Sequence, residues 1–431
     1  MSILLFGWIV ILFHQSFPLL QYRPPHQDML PYMVAIDDDA YKAMAEGKTS
    51  TVDSPFTKRF LYPYLAKSLT RLTGAPLPTI CLALNLSAWT LLAVCVTAVL
   101  VKTTGQSWWA AIFLMTPMPS EALLLAYMPE VFHMALVSLF FLLLWSRRDL
   151  PALAALLLAF FTRESTLLLC VALFAVAWWR GERRLALGSA VTLVAGMVAG
   201  SMAARLGRPN IYALPDVVYL ALKVGYNSLR DYCGVMFWTN VDPTRIAPSF
   251  TWPLPAALQW GKVREIGVRF LWDQPLLTLV SWAAIFGCAP LVAWRWREVF
   301  RTGAKWPLAV RVAFVYGGVA YLIGPGLGAS VQKLVGAGWP IVWIAMPWVL
   351  SQAGLAMSRG EAGALAGCYL IVAWEPYMAN SWRFDDRFFY LLIIVAFYFV
   401  ANRLLARVQS RSPRHPEAAS SIQRIDPEAA G

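Results

Sequence analysis

The stretch LPTICLALNLSAWTLLAVCVTAVLV, residues 77–101, carries no charged side chain and decides the fold class. As a helix rising ~1.5 Å per residue it is about 37 Å long, enough to cross a hydrocarbon core of ~30 Å. A backbone inside lipid must satisfy its own N–H and C=O groups, which for such a run means an α-helix. Further apolar blocks occupy residues 2–20, 107–127, 130–146, 184–204, 276–296, 306–324, 336–354 and 387–404. Shorter ones fill 150–162, 164–179 and 361–376. A helix of ~13 residues rises only about 20 Å. The pair 150–162 and 164–179 therefore reads either as two short spans with tips dipping into the membrane or as one long bent helix.

Composition agrees. Of 431 residues, 59% are hydrophobic and 14% charged, and mean hydropathy is +0.56. A soluble domain carries about 45–50% apolar and ~25% charged residues, so this chain is not one. The expected architecture is an all-α, polytopic transmembrane bundle of about 10–12 spans over residues 1–404. Two longer external loops, about 21–76 and 205–275, carry interfacial helices, and 405–431 is a polar, disordered cytoplasmic tail. The run Leu4–Leu20 lacks a basic start and a small-residue cleavage site, so it reads as a retained first helix rather than a signal peptide.

The net charge of +12 does not indicate nucleic acid. Arg147-Arg148, Arg180, Arg183-Arg184, Arg295 to Lys305, Arg359 and Arg403 to Arg414 fall at the ends of apolar blocks, as orientation signals do. With twelve spans they share one side, cytoplasmic, with both termini; the chain's partners then include membrane lipids. Asp37, Asp38, Asp39, Asp53, Glu130, Glu164, Asp242, Asp273, Asp385 and Asp386 fall outside. The preference for Arg and Ala suits a bacterial inner membrane. Six scattered cysteines show no CxxC spacing, and His14, His26, His133 and His415 no HExxH pattern, so neither implies a metal.

Both external loops have helical periodicity. Ile36, Ala40, Ala43, Met44 and Gly47 recur at three- and four-residue spacing, as do Leu61, Leu65, Leu69 and Leu72. In the second loop Trp260, Val263, Ile266 and Phe270, beside Lys262, Arg264 and Arg269, predict a basic amphipathic helix at headgroup level. Trp238, Trp252, Trp260 and Trp272 serve there either as interfacial anchors or as platforms for sugar rings.

Three polar constellations could carry chemistry. Asp37-Asp38-Asp39 repel one another, so one is a base with a raised pKa or two hold a divalent cation; the plain alternative is a solvated helix N-terminus favoured by the dipole. Thr162-Arg163-Glu164-Ser165 interrupts two apolar blocks, with Glu130 on the same predicted side. There Arg163 either pairs with Glu130 or Glu164 to brace helix tips, or faces an anionic ligand whose phosphate geometry its guanidinium matches. Gln332, Lys333 and Trp339, with Arg383, Asp385, Asp386 and Arg387, form a looser set suited to a lipid phosphate or to anchoring.

In order, these features resemble the GT-C superfamily of membrane glycosyltransferases, which use polyprenyl-phosphate-linked sugars. A first span leads to an acidic residue before Tyr41-x-x-x-Ala45-x-Gly47. Next come Pro55-Phe56-x-x-Arg59-x-Leu61-x-Pro63, a Pro129-Glu130 span start and Thr162-Arg163-Glu164. The likeness covers roughly the first 180 residues; beyond them only hydropathy and loop placement agree. It implies a catalytic carboxylate in the first external loop, Asp37 or next Asp39, deprotonating an acceptor hydroxyl. Arg59 and Arg163 would receive the lipid phosphate, with Tyr62, Glu130, Glu164 and Lys333 lining the substrate site. Donor sugar and acceptor stay unspecified, and the triplet leaves open which aspartate acts and whether a divalent cation takes part. The rival readings are a transporter or flippase of a lipid-linked substrate, which predicts charges deep within spans and two related halves, and a non-catalytic assembly subunit.

Overall fold

Apolar runs without internal charge become helices, and the interruptions between them become the turns that hold the polar chemistry. The computed structural model describes residues 30–105, 107–119, 127–208, 216–240, 265–270, 273–297, 306–327, 335–352, 358–378 and 384–411. The expected first span at 2–20, Trp252, Trp260, Trp272, Lys333 and the tail beyond Arg411 lie outside these residues. Residues 405–411, expected in the disordered tail, instead continue the last helix.

The first long segment between apolar blocks holds α1 (Leu30–Ala45), a 3-10 turn (Thr49–Thr51), α2 (Ser54–Thr57) and α3 (Leu61–Thr73). Tyr41, Met44, Val52 and Met128 form its small core. On α3 the buried face is Tyr62, Pro63 and Ala66, while Leu72 is exposed, so the leucine stripe is offset from the packed side. The longest apolar run becomes α4 (Leu77–Thr104), ended by Gly105 at φ 72°, a left-handed conformation that glycine adopts without penalty. Then follow α5 (Trp108–Met115), α6 (Glu130–Trp145), α7 (Asp149–Thr162), α8 (Thr166–Trp179) and α9 (Arg183–Ala204). α6 and α7 form a hairpin through Arg147 at φ 56°. Helices α7 and α8 are separate, because Arg163 is extended at φ −160°, ψ 127° and breaks the run.

The second long segment between apolar blocks departs from expectation. α10 (Asp216–Cys233) leads into β1 (Val235–Asn240), which pairs antiparallel with β2 (Glu265–Phe270), Val235 opposite Phe270 and Asn240 opposite Glu265. Ile266 and Phe270 thus lie on a strand, not on the amphipathic helix their spacing predicts. Three- and four-residue recurrence over so short a stretch does not distinguish the two, and backbone pairing with 235–240 wins. The rest is helical: α11 (Asp273–Phe286), α12 (Ala289–Arg295), α13 (Leu308–Ile323), a π-turn (Ile341–Ala345), α14 (Met346–Gln352), α15 (Arg359–Met378) and α16 (Phe384–Arg411).

Among the described residues, four helices are long and apolar enough to cross a bilayer: Leu77–Thr104, Arg183–Ala204, Leu308–Gly326 and Leu391–Arg411. Pro275–Phe286 with Ala289–Arg295, bent by 72°, makes a fifth if the pair is one span. Glu130–Trp145, Asp149–Thr162 and Thr166–Trp179 are apolar but shorter. α9 shows which solvent surrounds them. Its inward face is mostly small (Ala186, Ser189, Gly196, Gly200 and Ala203, with Leu185 and Thr192), and Leu187, Val191, Val194, Val198 and Met202 are exposed at helical spacing. A water-facing helix would invert this; lipid permits it, and small residues let helices approach closely. The chain is a multi-pass, membrane-embedded helical protein.

Close approach yields a test. A Cβ at Gly196 would sit 2.6 Å from the Phe160 ring, whereas one at Gly318 would meet nothing within 4 Å. Gly196→Leu should force α7 and α9 apart at a cost of about 1–3 kcal/mol, seen as a lower Tm in detergent, while Gly318→Ala leaves Tm near the parent value.

Candidate functional site

The break at 163–165 exists because five polar residues, Thr162 to Thr166, separate two apolar helices. Thr162 and Thr166 stay buried; the Thr162 hydroxyl donates to the Ala159 carbonyl (2.6 Å), and the Thr166 hydroxyl lies 2.9 Å from His133 Nε2. Arg163 and Glu164 are thereby delivered to the end of the bundle where α6 begins. Glu130 occupies the first turn of α6, where the helix dipole favours a carboxylate. Arg163 Nη1 approaches Glu130 Oε1 at 3.6 Å, with the two side chains 11% and 10% exposed.

The segment from α1 to α3 closes over this end. Arg208 N donates to Val52 O and Ser54 N to Arg208 O, both 2.8 Å, tying the foot of α9 to the turn before α2. Arg59, between α2 and α3, then reaches across. Its Nε and Nη2 donate to the two oxygens of Glu164 at 2.6 Å each, and Nη1 donates to the Tyr41 hydroxyl at 2.7 Å. Its guanidinium also lies over the Phe56 ring, 5.8 Å from the centroid. Burial opposes the charge on Arg59, but Glu164 and Tyr41 hold it well above its ordinary pKa. Burial would likewise raise the Glu164 carboxyl; the Arg59 guanidinium outweighs it and holds the group at about 2.

The aspartate triplet lies on α1 and divides by direction. Asp38 is half-buried and accepts a hydrogen bond from Tyr127 N at 3.1 Å. Its pKa is raised, first by burial and then by the charges of Asp39 and Glu130, against the pull of the Tyr127 amide and Lys42. Asp39 is exposed, and the Asp37 side chain lies outside the described residues. Tyr62 is 1% exposed and its hydroxyl donates to Asn85 Oδ1 at 2.8 Å, so it fastens α3 to α4 instead of opening to a ligand. Among the described residues, no group of three His, Cys, Asp or Glu side chains is placed to hold a metal.

Of the residues expected in the site, Arg59, Glu130, Arg163 and Glu164 therefore meet at one rim. Asp38, Tyr41 and His133 join them; sequence reasoning had no way to rank Asp38 above its neighbours, and for His133 no sequence signal existed beyond its place one turn after Glu130. Chemically the rim offers a carboxylate with raised proton affinity and two guanidinium groups in different states. Arg59 is saturated. Arg163 makes no side-chain hydrogen bond among the described residues, and 3.6 Å is too long for one, so its donors remain for an anionic ligand.

The depressed Glu164 pKa sets a pH dependence. A carboxylate held below its ordinary 4.5 contributes stability that is present above that value and is lost as pH falls towards about 2. The Tm difference between the parent chain and Glu164→Gln should be constant near neutral pH and shrink below about pH 4.5; thermal melts across that range check it. No family model matches this chain, and no curated protein or solved structure proves similar to it.

Proposed function

We propose that this protein is a membrane glycosyltransferase that moves a sugar from a polyprenyl-phosphate donor to an acceptor on the external face. The observation that carries the reading is Arg163, a nearly buried guanidinium with donors to spare, at the same rim as a carboxylate of raised proton affinity. In this reading the bundle has ten to twelve spans of GT-C type in a bacterial inner membrane, both termini cytoplasmic.

The chemistry needs three things at one interface. An aspartate of the triplet removes the acceptor hydroxyl proton as that oxygen attacks the anomeric carbon. The bond from the anomeric carbon to the phosphate oxygen breaks, and its electron pair leaves with the polyprenyl phosphate. Arg163 receives that developing charge, in a site where fixed cations cost no reorganisation. Within the triplet Asp38 faces the rim and is the preferred base, with Asp37 next and Asp39 in solvent. Arg59 acts through Glu164 and Tyr41, holding the external segment over the site.

The reading is tested with purified protein and a radiolabelled polyprenyl-phosphate sugar. Asp38→Asn should lower transfer by about 10²-fold or more with insertion intact, whereas Asp39→Asn retains it. Arg163→Ala should lose transfer and Arg163→Lys recover part of it, since an ammonium supplies charge without the planar fork. Full transfer in Asp37→Asn, Asp38→Asn and Asp39→Asn alike removes the base. Translocation of label without transfer identifies a flippase, and neither process an assembly subunit.

A further inference from the structure

Along helix α10 (Asp216–Cys233) the described side chains have the polarity of their faces reversed. Asn227, Arg230 and Asp231 are buried, and Val218, Ala221, Gly225, Leu229 and Tyr232 are exposed. The exposed positions follow one another at intervals of three and four, a single stripe along the helix. A helix washed by water turns its charges out and its apolar stripe in; this one does the opposite.

The buried charges are paired with each other. Arg230 donates from Nε and Nη2 to the two carboxylate oxygens of Asp231 at 2.6 and 2.9 Å, and the Thr278 hydroxyl of α11 donates to the Asp231 carbonyl at 2.8 Å. Ionisable residues at membrane depth are tolerated when they face the protein interior and are paired. The outward stripe is also continuous with other apolar surface. The Tyr232 hydroxyl donates to the Leu322 carbonyl of α13, its ring stands 5.9 Å from Trp282 of α11, and Leu279, Leu322 and Ile323 around it are exposed as well. α13 belongs to a helix long and apolar enough to cross the bilayer.

We propose that the stripe Val218–Ala221–Gly225–Leu229–Tyr232 lies against the acyl chains of bilayer phospholipid. On this view α10, which hydropathy alone assigns to an external loop, is part of the lipid-facing wall, and it carries the Arg230–Asp231 pair into the membrane on its protected side. The inference is independent of the transfer reaction.

Photolabelling of the unaltered full chain tests it. Protein is reconstituted into phosphatidylcholine vesicles containing a phospholipid with a diazirine at the end of its acyl chain, then irradiated and mapped by mass spectrometry. Adducts on Val218, Leu229 and Tyr232 are expected at the same yield as on Leu187, Val191 and Val194 of α9. Absence of adducts on α10 together with oxidation of Tyr232 by aqueous hydroxyl radical would place the stripe in water and overturn the proposal. So would absence of both, with cross-links from α10 to a second copy of the chain.

Discussion

Arg59 holds together the end of the bundle at which α6 begins. One side chain bonds Tyr41 on α1, grips both oxygens of Glu164 at the α7–α8 break and covers the ring of Phe56. It is only 16% exposed, so its charge would be costly without that carboxylate. The segment 38–73 rests besides on small cores, on the backbone bridge between Val52, Ser54 and Arg208, and on the bonds of Tyr62 to Asn85 and of Tyr127 to Asp38. With the Tyr127 amide bonded to Asp38, the clamp sets the carboxylate on α1 in relation to Glu130 and Arg163.

The bilayer imposes the complementary constraint. Because charges are expensive within lipid, polar residues are driven to the turns, and hairpins then collect them at the two ends of the bundle. One end holds Glu130, Arg163 and Glu164. The other holds Lys102, Arg147, Arg180 and Glu182, with Lys102 Nζ 3.2 Å from the Ser146 hydroxyl and Arg147 and Arg180 both paired to Glu182. Chemistry on a lipid-linked molecule suits such a division, since reacting groups work at the surface while the hydrocarbon stays among helices.

The two arginines at the rim show how similar residues acquire different jobs. Arg59 meets a carboxylate with matching bidentate geometry and becomes structural. Arg163, one residue before that carboxylate, points to Glu130 instead and stops 3.6 Å short. An extended backbone at Arg163 is what separates the two directions.

The sequence alone determined that the chain is membrane-embedded and helical, where its longest helices run, and that polar interruptions at 162–166 and 129–130 matter. These follow from run length and charge placement, which act locally and leave a direct mark on composition. It also ordered α1 and α3 correctly as helices, while misreading 265–270, whose strand pairing depends on a partner about thirty residues away. Only the tertiary structure decided that Asp38 turns inward and Asp39 outward, because successive helical residues diverge by about 100° and the burying partner, Tyr127, lies far along the chain. It likewise decided that Tyr62 is a tether and Arg59 a clamp, and that α10 turns Arg230 and Asp231 inward: each depends on what a side chain meets across the bundle, and no one-dimensional pattern records that.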